Sequence, residues 1–376
     1  PDWRDNAPAV ARAWKYFAAG YRCFPANIAF AWYGPLHHSI VWPLYLFPVD
    51  RPIPPSWLLR SFPEVGGDRI GECLVYQHTL SEGLDLCRKM SRLWQKGLDI
   101  FRDLLPAYPD DPARIADIGL AEAIGLQMKS ACNLLEFYLL RETMFFHQED
   151  HLERLRAIVQ DEIGNSKLMR EFCAKDSRLG YHSEAEGYLF FPEKLSARIE
   201  LLEKLLKEDF PEFRLDAPWI NAYTGIAPVG KQAVCRYGTP AAAMEKTGDS
   251  GIAWNSYYDA EKLFLIFRGI VGKAFTVELE PCRLWPPFRI DFDASGQPLL
   301  DDLVFRETPQ LDYLYCPDEI TVGIPLEIFA GYRREGFPIR INVWSENHAW
   351  VERQPWPNRL LHRDFNPACA GWLIFE

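Results

Sequence analysis

Three observations predict a multidomain α plus β chain, an antiparallel helical bundle followed by an antiparallel β-sandwich. At 376 residues the chain is longer than a single hydrophobic core usually organises. From Thr79 to about residue 207, apolar side chains recur at helical spacing. Beyond about residue 216 that spacing stops, Gly and Pro become frequent, and short alternating runs take over.

Residues 1–60 read as an exit segment, the end of a barrel lying upstream of Pro1. It has one helix, APAVARAWKYFAAGY at 7–21, and an extended run ending at Gly34-Pro35. Its Pro-rich crossing, VWPLYLFPVDRPIPPSW, forbids a long helix because each Pro removes a donor and clashes with the preceding turn. Residues 61–215 form the bundle. A helix over 81–105 has Ser81 as its expected N-cap and Pro106 as its stop. A second follows Pro112 for more than thirty nearly all-apolar residues, and others cover 149–174 and 193–207. Short connections between helices of this length make neighbours antiparallel. Residues 216–376 supply the sandwich, with strands at 262–271, 273–285, 288–294, 319–326, 339–346 and 372–376 divided by turn residues.

A net charge of −11 argues against nucleic acid and anionic membranes as partners, since phosphate contacts need clustered Lys and Arg. No run approaches the eighteen apolar residues of a membrane span. Nine scattered cysteines without a CxxC pair speak for buried thiols rather than a disulfide framework or a metal site, and no cofactor fingerprint is present. Aromatic residues reach 14%, with 13 Trp; indole faces suit both aromatic cores and the apolar C–H faces of sugar rings.

Three constellations carry candidate chemistry. The densest is DSRLGYHSEAEGY at 176–188, where alternation puts His182, Glu184 and Glu186 on one side of an extended loop near Arg178. Glu184 and Glu186, with Glu142 as another carboxylate and His182 tuning them, have the residue types of a glycosidic acid/base pair. The same charges also suit an ordered loop that pairs with itself. A second group, Trp32, Tyr33, His37 and His38, has the aromatics and imidazoles of a sugar pocket; adjacent His on a strand face opposite ways and make a poor metal pair. In the sandwich, Trp285, Trp344, Trp350 and Trp356 sit by Pro-containing loops and are the candidates for stacking on sugar.

The runs Trp219-Ile-Asn-Ala-Tyr, Tyr257-Tyr258-Asp259-Ala-Glu-Lys-Leu-Phe-Leu, Val277-Glu-Leu-Glu280-Pro and Ile324-Pro-Leu-Glu327 make the last 160 or so residues similar to the family 9 carbohydrate-binding modules. The first 215 resemble the helical region after the barrel in large bacterial relatives of the family 20 hexosaminidases. The residues carrying this are Ala31-Trp-Tyr-Gly-Pro35, GDRIGE at 67–72, LLEFYLLRE at 134–142 and the 176–188 loop. These resemblances imply the accessory portion of a glycoside hydrolase, with a carbohydrate ligand and an upstream catalytic domain of the same gene product. Secretion or a periplasmic location would follow from that reading. Two alternatives stand beside it: a scaffold whose sandwich takes no ligand, and a glycosidase with its own carboxylate pair in the helical domain.

Overall fold

The computed structural model describes residues 3–26, 30, 36–49, 67–74, 77–183, 187–282, 284, 288–300, 307–329, 338–352 and 370–376. The chain divides into two compact units. The first comprises Pro1–Leu74, His78–Met144 and Gln148–Phe213; the second comprises Arg214–Glu376 with the short pieces Val75–Gln77 and Phe145–His147.

Helices dominate the first unit: α1 (Ala7–Tyr21), α2 (Leu80–Leu104), α3 (Pro112–His147), α4 (Leu152–Lys175), α5 (Pro192–Lys204) and the short α6 (Phe210–Glu212). A capping box starts α2. Thr79, rather than the expected Ser81, accepts from the Glu82 amide, and the Glu82 side chain accepts from the Thr79 amide. Asp111 caps α3 by accepting from the amides of Ala113 and Arg114, with Pro112 at the first helical position. Contacts running in opposite sequence directions make the neighbours antiparallel. Arg88 meets Glu136 while Arg102 meets Glu122 across α2 and α3. Across α3 and α4, Lys129 meets Asp161 and Glu136 meets Arg154. Helix α5 passes directly into a π-helical stretch, Leu205–Asp209. The 176–188 loop is a small hairpin, with β1 (Tyr181–His182) antiparallel to β2 (Gly187–Tyr188).

In the second unit a short helix, α7 (Pro218–Thr224), precedes twelve strands of one sheet among the described residues, ten of them on one path, with β4 and β13 paired beside it to β5 and β12. They are β3 (Gln232–Tyr237), β4 (Glu245–Lys246), β5 (Ala253–Tyr258), β6 (Lys262–Arg268), β7 (Phe275–Glu280), β8 (Phe288–Phe292), β9 (Pro298–Leu299), β10 (Asp312–Cys316), β11 (Glu319–Pro325), β12 (Ile339–Ser345), β13 (His348–Ala349) and β14 (Gly371–Phe375). The order β10-β11-β6-β5-β3-β14-β12-β7-β8-β9 curls so that its two halves share one core. Phe267 of β6, for instance, packs on Phe275 of β7 and Phe292 of β8, with ring centroids 4.9 and 6.1 Å apart.

The sheet is mixed, which corrects the expectation of a purely antiparallel sandwich. Strand β3 pairs parallel with both β14 and β5. Neither partner is joined to β3 by a hairpin: β14 comes from the far end of the chain, and β4 intervenes before β5. Only a tight turn forces antiparallel pairing, and alternation of side chains does not encode strand direction.

Candidate ligand-binding face of the β unit

Strands β7 and β12 are buried on both faces for most of their length, although polar residues alternate with apolar ones in them, while β8 is buried on one face and half-buried on the other. Period-two alternation sends Phe275, Val277 and Leu279 of β7 into the core, together with Ile339, Ile341 and Val343 of β12. Their alternates stand on the opposite face in ordered rows. In one row Trp372 pairs with Arg340 and Arg340 with Glu280; in the next, Asn342 pairs with Glu278 and Glu278 with Arg289. A third row runs Trp344, Thr276, Asp291.

The charges in these rows are complementary across strands. Arg340 lies opposite Glu280 and its guanidinium stacks over Trp372 at 4.9 Å; Arg289 lies opposite Glu278 and stacks over Trp344 at 5.6 Å. Arg289 bonds Asp291 at 2.9 Å, whereas its approach to Glu278 is 3.6 Å, an ion pair too long for a direct hydrogen bond. The Asn342 amide is locked: its oxygen accepts from the Val343 and Val351 amides at 3.0 Å and its nitrogen donates to Val351 O at 3.1 Å. Exposure is graded. Glu278 and Glu280 are each 1% exposed, while the side chains of Arg289 and Asp291 are 28% and 37% exposed. The buried carboxylates and the guanidinium groups beside them are acceptors and donors of the kind that pair with hydroxyl groups.

The residues expected from the sequence are distributed differently. Trp350 is a core side chain, a correction to its assignment as a stacking residue. It packs edge-on against Trp254 at 5.0 Å, donates from Nε1 to Glu245 at 2.8 Å, and lies over Gly371, where a Cβ would fall 2.3 Å from the indole. Trp344 is also buried, at 6%, so it presents no open face, yet it borders the polar rows. Trp285 and Trp356 lie outside the described residues, as do Trp32, Tyr33, Glu184 and Glu186.

In the helical unit, the hairpin brings His182 beside His37, rings 5.8 Å apart, with the exposed pair Tyr181 and Tyr188 next to them. His38 is buried near Trp42 at 6.2 Å. Arg178 is engaged with its own loop: it bonds Asp176 at 2.6 and 2.9 Å and holds that carboxyl down to about 2. Glu142 is buried against Arg141 at 2.5 Å, and Arg141 also meets Asp68 at 3.1 Å and Tyr45 O at 2.7 Å. The second carboxylate layer is closed in the same way. Glu162 accepts from Ser130, Asn133, Asn165 and Arg198 at 2.5–2.8 Å.

The residues missed in the sequence reading are Glu278, Glu280, Arg289, Arg340 and Asn342. Their signal was present as polar residues at every second position of VELE, FRIDF and IRINVWS. What brings β7 and β12 side by side is topology alone.

No protein-family model matches the chain, and no curated protein matches it in sequence. Among solved structures, the chain is similar to a family 9 carbohydrate-binding module from Caldicellulosiruptor kristjanssonii, solved in complex with cellotriose. The identity is 9%, the match covers 39% of this chain and 94% of that one, and the TM-score is 0.25.

Proposed function

We propose that the β unit binds a carbohydrate on the polar face of β7, β8, β12 and β14. The observation that carries this reading is the row arrangement of Glu278, Glu280, Arg289, Arg340 and Asn342 between Trp344 and Trp372. Fixed planar hydrogen-bonding groups are what sugar recognition uses, because preorganisation removes the ordering cost at binding. Of the sequence motifs similar to family 9 modules, one falls on this face and another lies in a neighbouring hairpin of the sheet. Val277-Glu-Leu-Glu280 is β7, and the Asp259 run is the β5–β6 hairpin, where the Asp259 carboxylate accepts from the Glu261 and Lys262 amides at 2.8 and 2.7 Å. The finer part of the proposal is that this unit serves a glycoside hydrolase, with the helical unit as its supporting region.

The test is a glycan array probed with the full chain, followed by calorimetric titration of the best ligand. Arg289→Ala and Asn342→Ala are expected to weaken binding by about tenfold or more, equivalent to about 1.4 kcal/mol. Lys129→Ala, in the helical unit, should leave it unchanged. Absence of binding to any glycan, or equal affinity in all three variants, would remove the carbohydrate reading and leave a ligand-free scaffold.

A further inference from the structure

Helix α1 is apolar on two faces. One is turned into its own unit: Val10, Ala13, Phe17 and Gly20 are buried, and Phe17 lies against Gly97 with its ring 4.3 Å from that of Trp94. The other faces solvent. Ala7, Ala11, Trp14, Ala18 and Tyr21 are all exposed and follow one another at spacings of four, three, four and three residues. That is the heptad pattern of a helix that packs along a second helix. At ~1.5 Å per residue the row is about 21 Å long.

The two rings are its anchors. Trp14 is 60% and Tyr21 55% exposed, although indole is on average highly buried. Both are held in place from below: Trp14 stands edge-on to Phe17 at 5.8 Å, and Tyr21 stacks on Phe24 at 5.7 Å. Rings fixed in this way lose little freedom when a partner covers them. The alanines between them let a second helix approach closely.

Charge indicates what covers the row. Helix α1 contains Arg12 and Lys15 but no acid, and Arg22 follows at its end, in a chain whose net charge is −11. In the heptad, Lys15 and Arg22 fall at the position beside the seam, where paired helices carry the charges that choose a partner. Arg12, Lys15 and Arg22 are exposed, and none meets a carboxylate among the described residues. On α2, Lys89, Arg92 and Lys96 are exposed and unpaired in the same way, with Lys96 over the Tyr16 ring at 5.8 Å. Two copies of α1 packed antiparallel would set Lys15 and Arg22 against their own counterparts, a like-charge contact that disfavours self-association. An acidic helix would neutralise them.

We propose that this face of α1 docks an amphipathic helix of a partner protein, one with aliphatic residues along its seam and Glu or Asp beside them. The test titrates the full chain into two fluorescein-labelled three-heptad peptides, with Leu at the seam and either Glu or Lys beside it, and follows anisotropy at about 0.15 M salt. The Glu peptide should bind saturably and at least about tenfold more tightly than the Lys peptide. Trp14→Ser should weaken it about tenfold or more, whereas Leu168→Ser, which removes an exposed apolar side chain from α4, should not. Lys15→Glu combined with Arg22→Glu should reverse the preference, so that the Lys peptide binds better. No saturable binding of the Glu peptide, equal binding of the two peptides, or unchanged binding in Trp14→Ser would overturn the proposal. Sedimentation of the chain alone tests the other occupant: a dimer that Trp14→Ser dissolves would give the face to a second copy and overturn it as well.

Discussion

Both units bury charge, and they do so in opposite ways. In the helical unit Glu162 is enclosed by four donors from three helices, and Arg198 spends its three nitrogens on Glu162, Ser166 and Trp42 O. In the β unit the floor carboxylate Glu278 meets Arg289 at 3.6 Å, and exposure rises toward Asp291 at the rim. The first arrangement has its hydrogen bonds closed within the protein and stabilises a unique packing. The second is graded from floor to solvent, with Glu278 and Glu280 at 1% exposure and the Asp291 side chain at 37%. Buried charge is therefore a poor indicator of function until the directions of its hydrogen bonds are known.

The strongest way to break this contrast is Arg198→Met, which leaves Glu162 as a buried charge without its cation. The expected loss is about 3–5 kcal/mol in urea denaturation followed by circular dichroism, with much of it recovered in Arg198→Met/Glu162→Leu. A cost below about 1 kcal/mol would mean that the layer is open to water, and the two units would then differ less than their geometry says. Arg289→Ala sharpens the other side. Its side chain is 28% exposed, so stability should fall by less than about 1 kcal/mol while glycan affinity drops. A large stability loss without an affinity change would turn the polar face into a structural layer like the one around Glu162.

The smallest effect concerns the hairpin. Asp176 titrates at about 2, held down first by the Arg178 side chain and then by its amide. A carboxyl whose folded pKa is depressed contributes stability that is present above its ordinary value and fades as pH falls toward the folded one. For Asp176 that window runs from about 4 down to about 2. In Arg178→Gln, NMR titration should show Asp176 moving up toward its ordinary value, with a small loss of stability that is present at neutral pH and vanishes as pH falls toward about 2.

The sequence, by itself, determined the element types. Helical spacing, the start after Pro112 and the Pro106 stop placed α2 and α3, because capping and periodicity act within a few residues. It also carried the alternation that makes β7, β8 and β12 two-faced. It did not determine neighbours. The parallel pairing of β3 with β14 and the alignment of Glu280 with Arg340 join residues far apart in the chain, and no local rule relates them. The tryptophans show the same division. Their number suggested stacking, but whether an indole lines a site or fills a core depends on what packs across from it, and for Trp350 that is Trp254 and Gly371. Local chemistry decided which side chains alternate on each strand. Only the curled sheet decided which of them share a face, because a shared face is a relation between strands rather than a property of any one.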